Sequence, residues 1–185
     1  MTTEEYAKKH LFREIQEIEN SNRLNVLTEL SIYEKAIILK YSEDGYLDLN
    51  EKLLLSEGEN ISIFGLILDE CLEKLPDYQD VVYRGDSLTM FEINQYNHRF
   101  VNQEYYEEYF FFSSSKSKNK AYEYAKPHKN EFSVIFIIFS KRGKDISSLA
   151  KYEIEREILF RYNSRFNVIN IEERENVYFI ILKEI

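Results

Sequence analysis

The sequence predicts an α+β protein, helices first and a largely antiparallel sheet afterwards, and three observations lead to that expectation. Apolar side chains recur at helical spacing through the first 75 residues. From about Gln79 onward the chain changes to short aromatic and β-branched runs, the composition of strands. With only 5 Gly and 2 Pro in 185 residues and 44% hydrophobic content, it does not read as low-complexity or disordered. The length suits a single domain, 1–185, with a mainly helical part at 1–75 and a β-rich part at 79–185.

Taken in order, "EEYAKKHLFREIQEIE" is amphipathic at helical period, and "ISIFGLILDECLEKL" sets Phe64, Ile67, Leu68, Cys71, Leu72 and Leu75 on one stripe. Six runs then read as strands: "VVYRG", "YYEEYFFFSSS", "EFSVIFIIFS", "YEIEREILF", "FNVINI" and "NVYFIILKEI". A helix fits "SKNKAYEYAK" between the second and third. Within "KYEIEREILF" a period of two would point Glu153, Glu155 and Glu157 to one face. Like charges side by side repel, so that row asks for either a solvated edge or a chemical use.

Charge narrows the function classes. Lys plus Arg number 24 against 33 Asp plus Glu, net −9, which argues against broad attraction to nucleic acid or to an anionic membrane surface. Cys71 is the only cysteine, so no intrachain disulfide forms; in its apolar stripe it reads as a buried, inert thiol. The N-terminus lacks the apolar core of a signal peptide, and "FSVIFIIFS" is too short to span a bilayer. The expectation is a soluble protein that acts in a reducing cytoplasm.

Three stretches could carry chemistry. In "VVYRGDS", Arg84 at a strand end offers forked donors suited to a pyrophosphate, and Gly85 would let a ligand approach the backbone; a salt-bridged arginine before a turn is the plainer alternative. In "YFFFSSSKSKNKAYEYAK", the hydroxyls of three serines could bind a ligand or cap the next helix, and Tyr124 could be a core aromatic. In the acidic row, two neighbouring carboxylates can divide labour between stabilising a cation and handling a proton. Metal binding draws little support, because His10, His98 and His128 are scattered.

Arg84-Gly85, then Ser113-Ser114-Ser115 with Ala121 six residues on, then Glu155-x-Glu157-Ile-Leu-Phe, in that order, resembles the arginine–serine–glutamate family of mono-ADP-ribosyltransferase toxins and effectors. The middle motif of that family is usually Ser-Thr-Ser. The resemblance runs from about Leu24 to the C-terminus and includes "LTELSIYEKAIILKYSEDGYLDLNEKL", where Tyr46 and Asn50 match positions that approach the nucleotide. It implies a fold with N-terminal helices on a two-sheet, mainly antiparallel β core. It also implies NAD as co-substrate, no metal, and transfer of ADP-ribose to a protein with release of nicotinamide.

Residue by residue, the resemblance implies that Arg84 holds the NAD phosphates and Gly85 offers its backbone to the nicotinamide amide. Ser113 would support Glu157, the glutamate that stabilises the ribose cation, and Tyr124 falls where relatives place a phenylalanine against nicotinamide. Glu155 favours arginine as the acceptor, since relatives that modify asparagine tend to carry Gln there, and Tyr152 matches an aromatic that recognises the target. Glu153 has no role to carry over and is expected to face solvent. The implied partners are a target protein with a reactive arginine and, for a toxin, an immunity protein or antitoxin. An NAD glycohydrolase, a nucleic-acid-modifying enzyme and an inactive binding module are the competing readings.

Overall fold

A computed structural model describes all 185 residues, Met1–Ile185. The helical part comprises α1 (Thr3–His10), α2 (Phe12–Glu19), α3 (Ile32–Lys40), α4 (Tyr46–Leu55) and α5 (Ile63–Glu73). Their starts are written locally: Thr2 with Glu5 and Ser31 with Glu34 form capping boxes, and Ser62 caps α5. Between α3 and α4 the chain widens into a π-helical turn, Tyr41–Gly45. The stripe of α5 is buried with Ile37, Leu49 and Leu53 in one apolar cluster that also takes in Phe111, Ile146, Leu149 and Leu159, so the helices dock onto the β part through it. Burial there pushes the Cys71 thiol up to about 12, which keeps it protonated and unreactive, in keeping with the sequence expectation.

The β part comprises β1 (Asp77–Tyr78), β2 (Val81–Leu88), β3 (Tyr105–Glu108), β4 (Phe112–Ser115), β5 (Phe132–Phe139), β6 (Gly143–Asp145), β7 (Glu157–Phe160), β8 (Ser164–Arg174) and β9 (Val177–Glu184), with α6 (Met90–Asn102) and α7 (Lys118–Tyr124) inserted. All nine strands form one sheet in the order β1-β6-β7-β4-β2-β5-β9-β8-β3, antiparallel except where β5 meets β9. The two-sheet expectation is therefore corrected. β2 meets β5 over its whole length, Val81↔Phe139 to Leu88↔Phe132, but meets β4 at Tyr83↔Ser115 alone. Phe112, Ile158 and Phe160 from one side of that seam share an apolar cluster with Val82, Phe136, Phe166 and Ile180 from the other. The sheet is thus two halves joined at a single residue pair, with a common core.

Three local expectations also change. α6 is a helix within the supposed run of strands, begun by a Thr89–Glu92 capping box. "YYEEYFFFSSS" is two strands in different places: β3 pairs with β8 at one edge, and β4 pairs with β7. In "KYEIEREILF" the strand starts only at Glu157; Glu153–Glu155 is a 3-10 turn, and Arg156 takes a left-handed conformation at φ 51°. The period of two is broken there, so the three glutamates do not share a face.

Candidate active site

Arg84 lies in the middle of β2 rather than at its end, one residue beyond the point where β4 stops pairing. Its Nη1 donates to the Ser113 carbonyl at 2.9 Å, and its Nε and Nη2 donate to Asp86 Oδ2 at 3.2 and 3.0 Å. The guanidinium also sits 4.7 Å over the Phe112 ring. Asp86 is two residues along the strand, hence on the same face, and balances the charge. The fork is thereby fixed before any ligand arrives.

Gly85 has a packing reason beside the ligand approach the sequence suggested. A Cβ there would lie 1.7 Å from the Ala121 carbonyl oxygen, so the glycine exists to let α7 pack against β2. That packing brings α7 to the edge of a cavity of about 520 Å³, bounded on the far side by the π-helical turn and α4. All nine residues expected at the site line it: Tyr46, Asn50, Arg84, Gly85, Ser113, Tyr124, Tyr152, Glu155 and Glu157. Glu153 is exposed and lies outside the lining.

The three serines do three jobs, and none caps α7. Ser113 Oγ donates to Glu157 Oε1 at 2.7 Å, and Ser114 Oγ donates to the Ile158 carbonyl at 2.8 Å. Ser115 Oγ donates to the Glu155 carbonyl at 2.6 Å while accepting from the Ser117 N–H at 2.9 Å. Register explains the first contact, since Ser113 stands opposite Leu159 and Ser115 opposite Glu157 on the paired strands. Glu157 is 8% exposed. Desolvation raises its pKa to about 7, the negative charge of Glu155 adds to the rise, and the Ser113 hydroxyl and Arg84 oppose it.

Glu155 sits higher, half-buried at the rim, and its Oε1 accepts a hydrogen bond from the Tyr124 hydroxyl at 2.5 Å. Tyr152, 57% exposed, stands beside it at the start of the turn. On the opposite wall, Asn50 is largely engaged by the protein itself. Its Oδ1 accepts from the Phe111 N–H at 3.1 Å, and its Nδ2 donates to the Phe111 carbonyl at 3.1 Å and to Tyr41 Oη at 3.3 Å. Asn50 therefore pairs with the lead-in to β4 as a strand would, and Tyr46 is the more exposed of the two expected nucleotide contacts.

Sequence reasoning passed over Arg23, whose guanidinium donates to three successive carbonyls at the stem of the 152–156 turn: Leu149 at 3.1 Å, Ala150 at 3.0 Å and Lys151 at 3.4 Å. The Lys151 N–H donates to Ser42 Oγ at 2.8 Å, and its Nζ pairs with Glu43 at 2.6 Å, so the π-helical turn clamps the same stem. Nothing local to Arg23 signals this, because its partners lie 126 to 128 residues away.

A family model described as ADP-ribosyltransferase exoenzyme matches residues 9–185. A Mycobacterium avium (strain 104) protein, Mav, provisionally named an NAD(+)–arginine ADP-ribosyltransferase, is 34% identical over 138 residues, 73% of this chain; the chain spans about 16% of that relative's length. Among solved structures, the ADP-ribosyltransferase HopU1 of Pseudomonas syringae pv. Tomato DC3000 is 20% identical at a TM-score of 0.73, covering 92% of this chain and 85% of that one. The ADP-ribosyltransferase Vis from Vibrio splendidus is 22% identical at a TM-score of 0.66, over 98% and 86%. Exoenzyme S from Pseudomonas aeruginosa, solved with human 14-3-3 protein beta and bound to Carba-NAD, is 16% identical at a TM-score of 0.69, over 98% and 86%.

Proposed function

The chain belongs to the ADP-ribosyltransferase exoenzyme family, and on that premise we propose that residues 1–185 are one catalytic domain that transfers ADP-ribose from NAD to a protein arginine. The observation that carries this reading is a buried carboxylate, Glu157, held by Ser113 in the same cavity as the fixed fork of Arg84, with Glu155 at the rim. The residues present suit NAD: a preset guanidinium for phosphates, an exposed tyrosine on each wall, and an acid at the floor.

Arg84 would hold the pyrophosphate, with Tyr46 on the α4 wall and the Tyr124 ring and Gly85 backbone toward the nicotinamide end. When bound, NAD supplies a ribose carbon whose bond to nicotinamide breaks, the electron pair leaving with nicotinamide while a guanidine nitrogen bonds that carbon and releases one proton. Glu157 in its ionised form opposes the positive charge that develops on the ribose, and in a desolvated site that interaction is strong. Ser113 fixes the direction of that carboxylate. Glu155 meets the acceptor guanidinium and passes its proton toward solvent. Tyr152, exposed beside it, contacts the target protein, and a toxin's immunity partner or antitoxin would cover the same rim.

Incubation of the protein with labelled NAD and a cell lysate tests the reading. Nicotinamide release with label on protein, placed on arginine by peptide mass spectrometry, is the expected result. Release without label would identify a glycohydrolase, and label on nucleic acid would refute a protein acceptor. Glu157→Ala abolishes both release and label, whereas Glu155→Ala loses label and keeps some release.

A further inference from the structure

Glu155 has a carboxylate with one hydrogen-bonding side-chain partner, the phenol of Tyr124, 31 residues away in sequence. The other bonds at its turn hold the main chain. The Glu155 N–H donates to the Tyr152 carbonyl at 3.0 Å, the Ser115 hydroxyl reaches the Glu155 carbonyl at 2.6 Å, and the Lys116 N–H donates to the Arg156 carbonyl at 3.1 Å. Those contacts place the Cα of Glu155 and leave the side-chain rotamers unset. A glutamate at a cavity rim has considerable rotamer entropy to lose when it grips a ligand.

Tyr124 is well mounted to remove that freedom. It ends α7, which packs so closely on β2 that a Cβ at Gly85 would meet the Ala121 carbonyl. Although 59% exposed, its hydroxyl comes within 2.5 Å of Glu155 Oε1. A carboxylate offers about four lone-pair positions, so one phenol on Oε1 leaves room for the two parallel N–H groups of a guanidinium.

We propose that the Tyr124 hydroxyl is a positioning group for the acceptor: it holds the Glu155 carboxylate across the cavity mouth in the orientation that receives a guanidinium rather than water. This rests on the reading of Glu155 as the acceptor-binding acid. No bond to Tyr124 forms or breaks. The hydrogen bond to Glu155, with burial behind it, raises the phenol pKa further above its ordinary value, so the group stays protonated and keeps its O–H for Glu155.

The test uses the full chain as wild type, Tyr124→Phe, Glu155→Ala and the double variant, with NAD and agmatine as a small guanidine acceptor. Transfer and nicotinamide release are measured separately across a range of agmatine concentrations. Tyr124→Phe keeps the ring, and at a half-exposed position it does not disturb the fold, which thermal melting checks. The expected result is an acceptor KM raised about tenfold, the effect of one hydrogen bond to a charged group. The ratio of transfer to hydrolysis falls with it, and the double variant partitions like Glu155→Ala alone. A variant with wild-type acceptor KM and partition, beside a Glu155→Ala that has lost transfer, overturns the Tyr124 inference and leaves the arginine reading intact. Effects of the two substitutions that multiply in the double variant also overturn it. If Glu155→Ala keeps wild-type transfer, the reading of Glu155 falls and takes this inference with it.

Discussion

Replacing Glu157 with glutamine puts a number on the conflict between folding and chemistry at the floor of the cavity. Glu157 is 8% exposed, and desolvation raises its carboxyl pKa from an ordinary 4.5 to about 7. A group whose folded pKa is raised adds its stability in full below the unfolded value and loses it as pH climbs through the folded one. For Glu157 the loss runs from about pH 4.5 to about pH 7, after which the ionised acid burdens the fold by about 3 kcal/mol. Near pH 5 the same group costs less than about 1 kcal/mol, because the folded form is still protonated.

Glutamine carries no charge at either pH, and its carbonyl can still accept from the Ser113 hydroxyl. Its amide N–H groups need partners in a desolvated pocket, a cost of about 1 kcal/mol that does not depend on pH. The variant is therefore expected to be more stable than wild type by about 2 kcal/mol near pH 8 and roughly equal near pH 5. Urea unfolding at the two pH values, with unchanged m-values, measures this. Glu108 is also raised to about 7 by burial, so both proteins weaken between these pH values, and only the difference between them isolates Glu157. A difference that is the same at both pH values, or a wild type more stable near pH 8, would refute the desolvation argument. Nicotinamide release should vanish in the variant at both.

The remaining predictions concern the same site. If Glu157 works as the anion, kcat/KM for nicotinamide release rises with pH through about 7, and Glu155→Ala moves the midpoint down by removing a neighbouring charge; a flat profile from about pH 5.5 to 8 contradicts this. Gly85→Ala puts a Cβ 1.7 Å from a helix carbonyl, so a melting temperature lowered by at least about 5 °C, or no folded protein, is expected, and a wild-type melt would deny the packing. Arg23→Ala frees three carbonyls at the stem of the Glu155 turn. About tenfold weaker transfer with faster proteolysis at residues 151–156 should follow, and unchanged values of both would show that the clamp does not act on the turn.

Much of the fold was legible because it is local. The α5 stripe and the capping residues state their helices within a few positions, and the apolar runs of β5 and β9 state central strands. α6 was lost among strands although its capping box, Thr89–Glu92, is written in the sequence, because tyrosine and phenylalanine serve both periods. The acid row misled for a different reason. A left-handed Arg156 carries no sequence mark, since a non-glycine residue adopts that conformation only when its surroundings impose it.

The sequence by itself determined which chemical groups the site would contain. Arg84, Ser113, Glu155 and Glu157 were picked out by type and order as the proposed catalytic groups, and all four line one cavity despite the errors about strand ends and sheet count. Only the tertiary structure decided how they are held. A sheet seam of one residue pair sets Arg84 against the Ser113 carbonyl, a helix backbone fills the space that makes Gly85 obligatory, and a phenol steers Glu155. Each of these joins residues about 30 or more positions apart, and the free energy of such contacts depends on where the rest of the chain has packed. Residue identity can be read from the sequence, but burial, hydrogen-bond partners and the pKa that follows from them cannot.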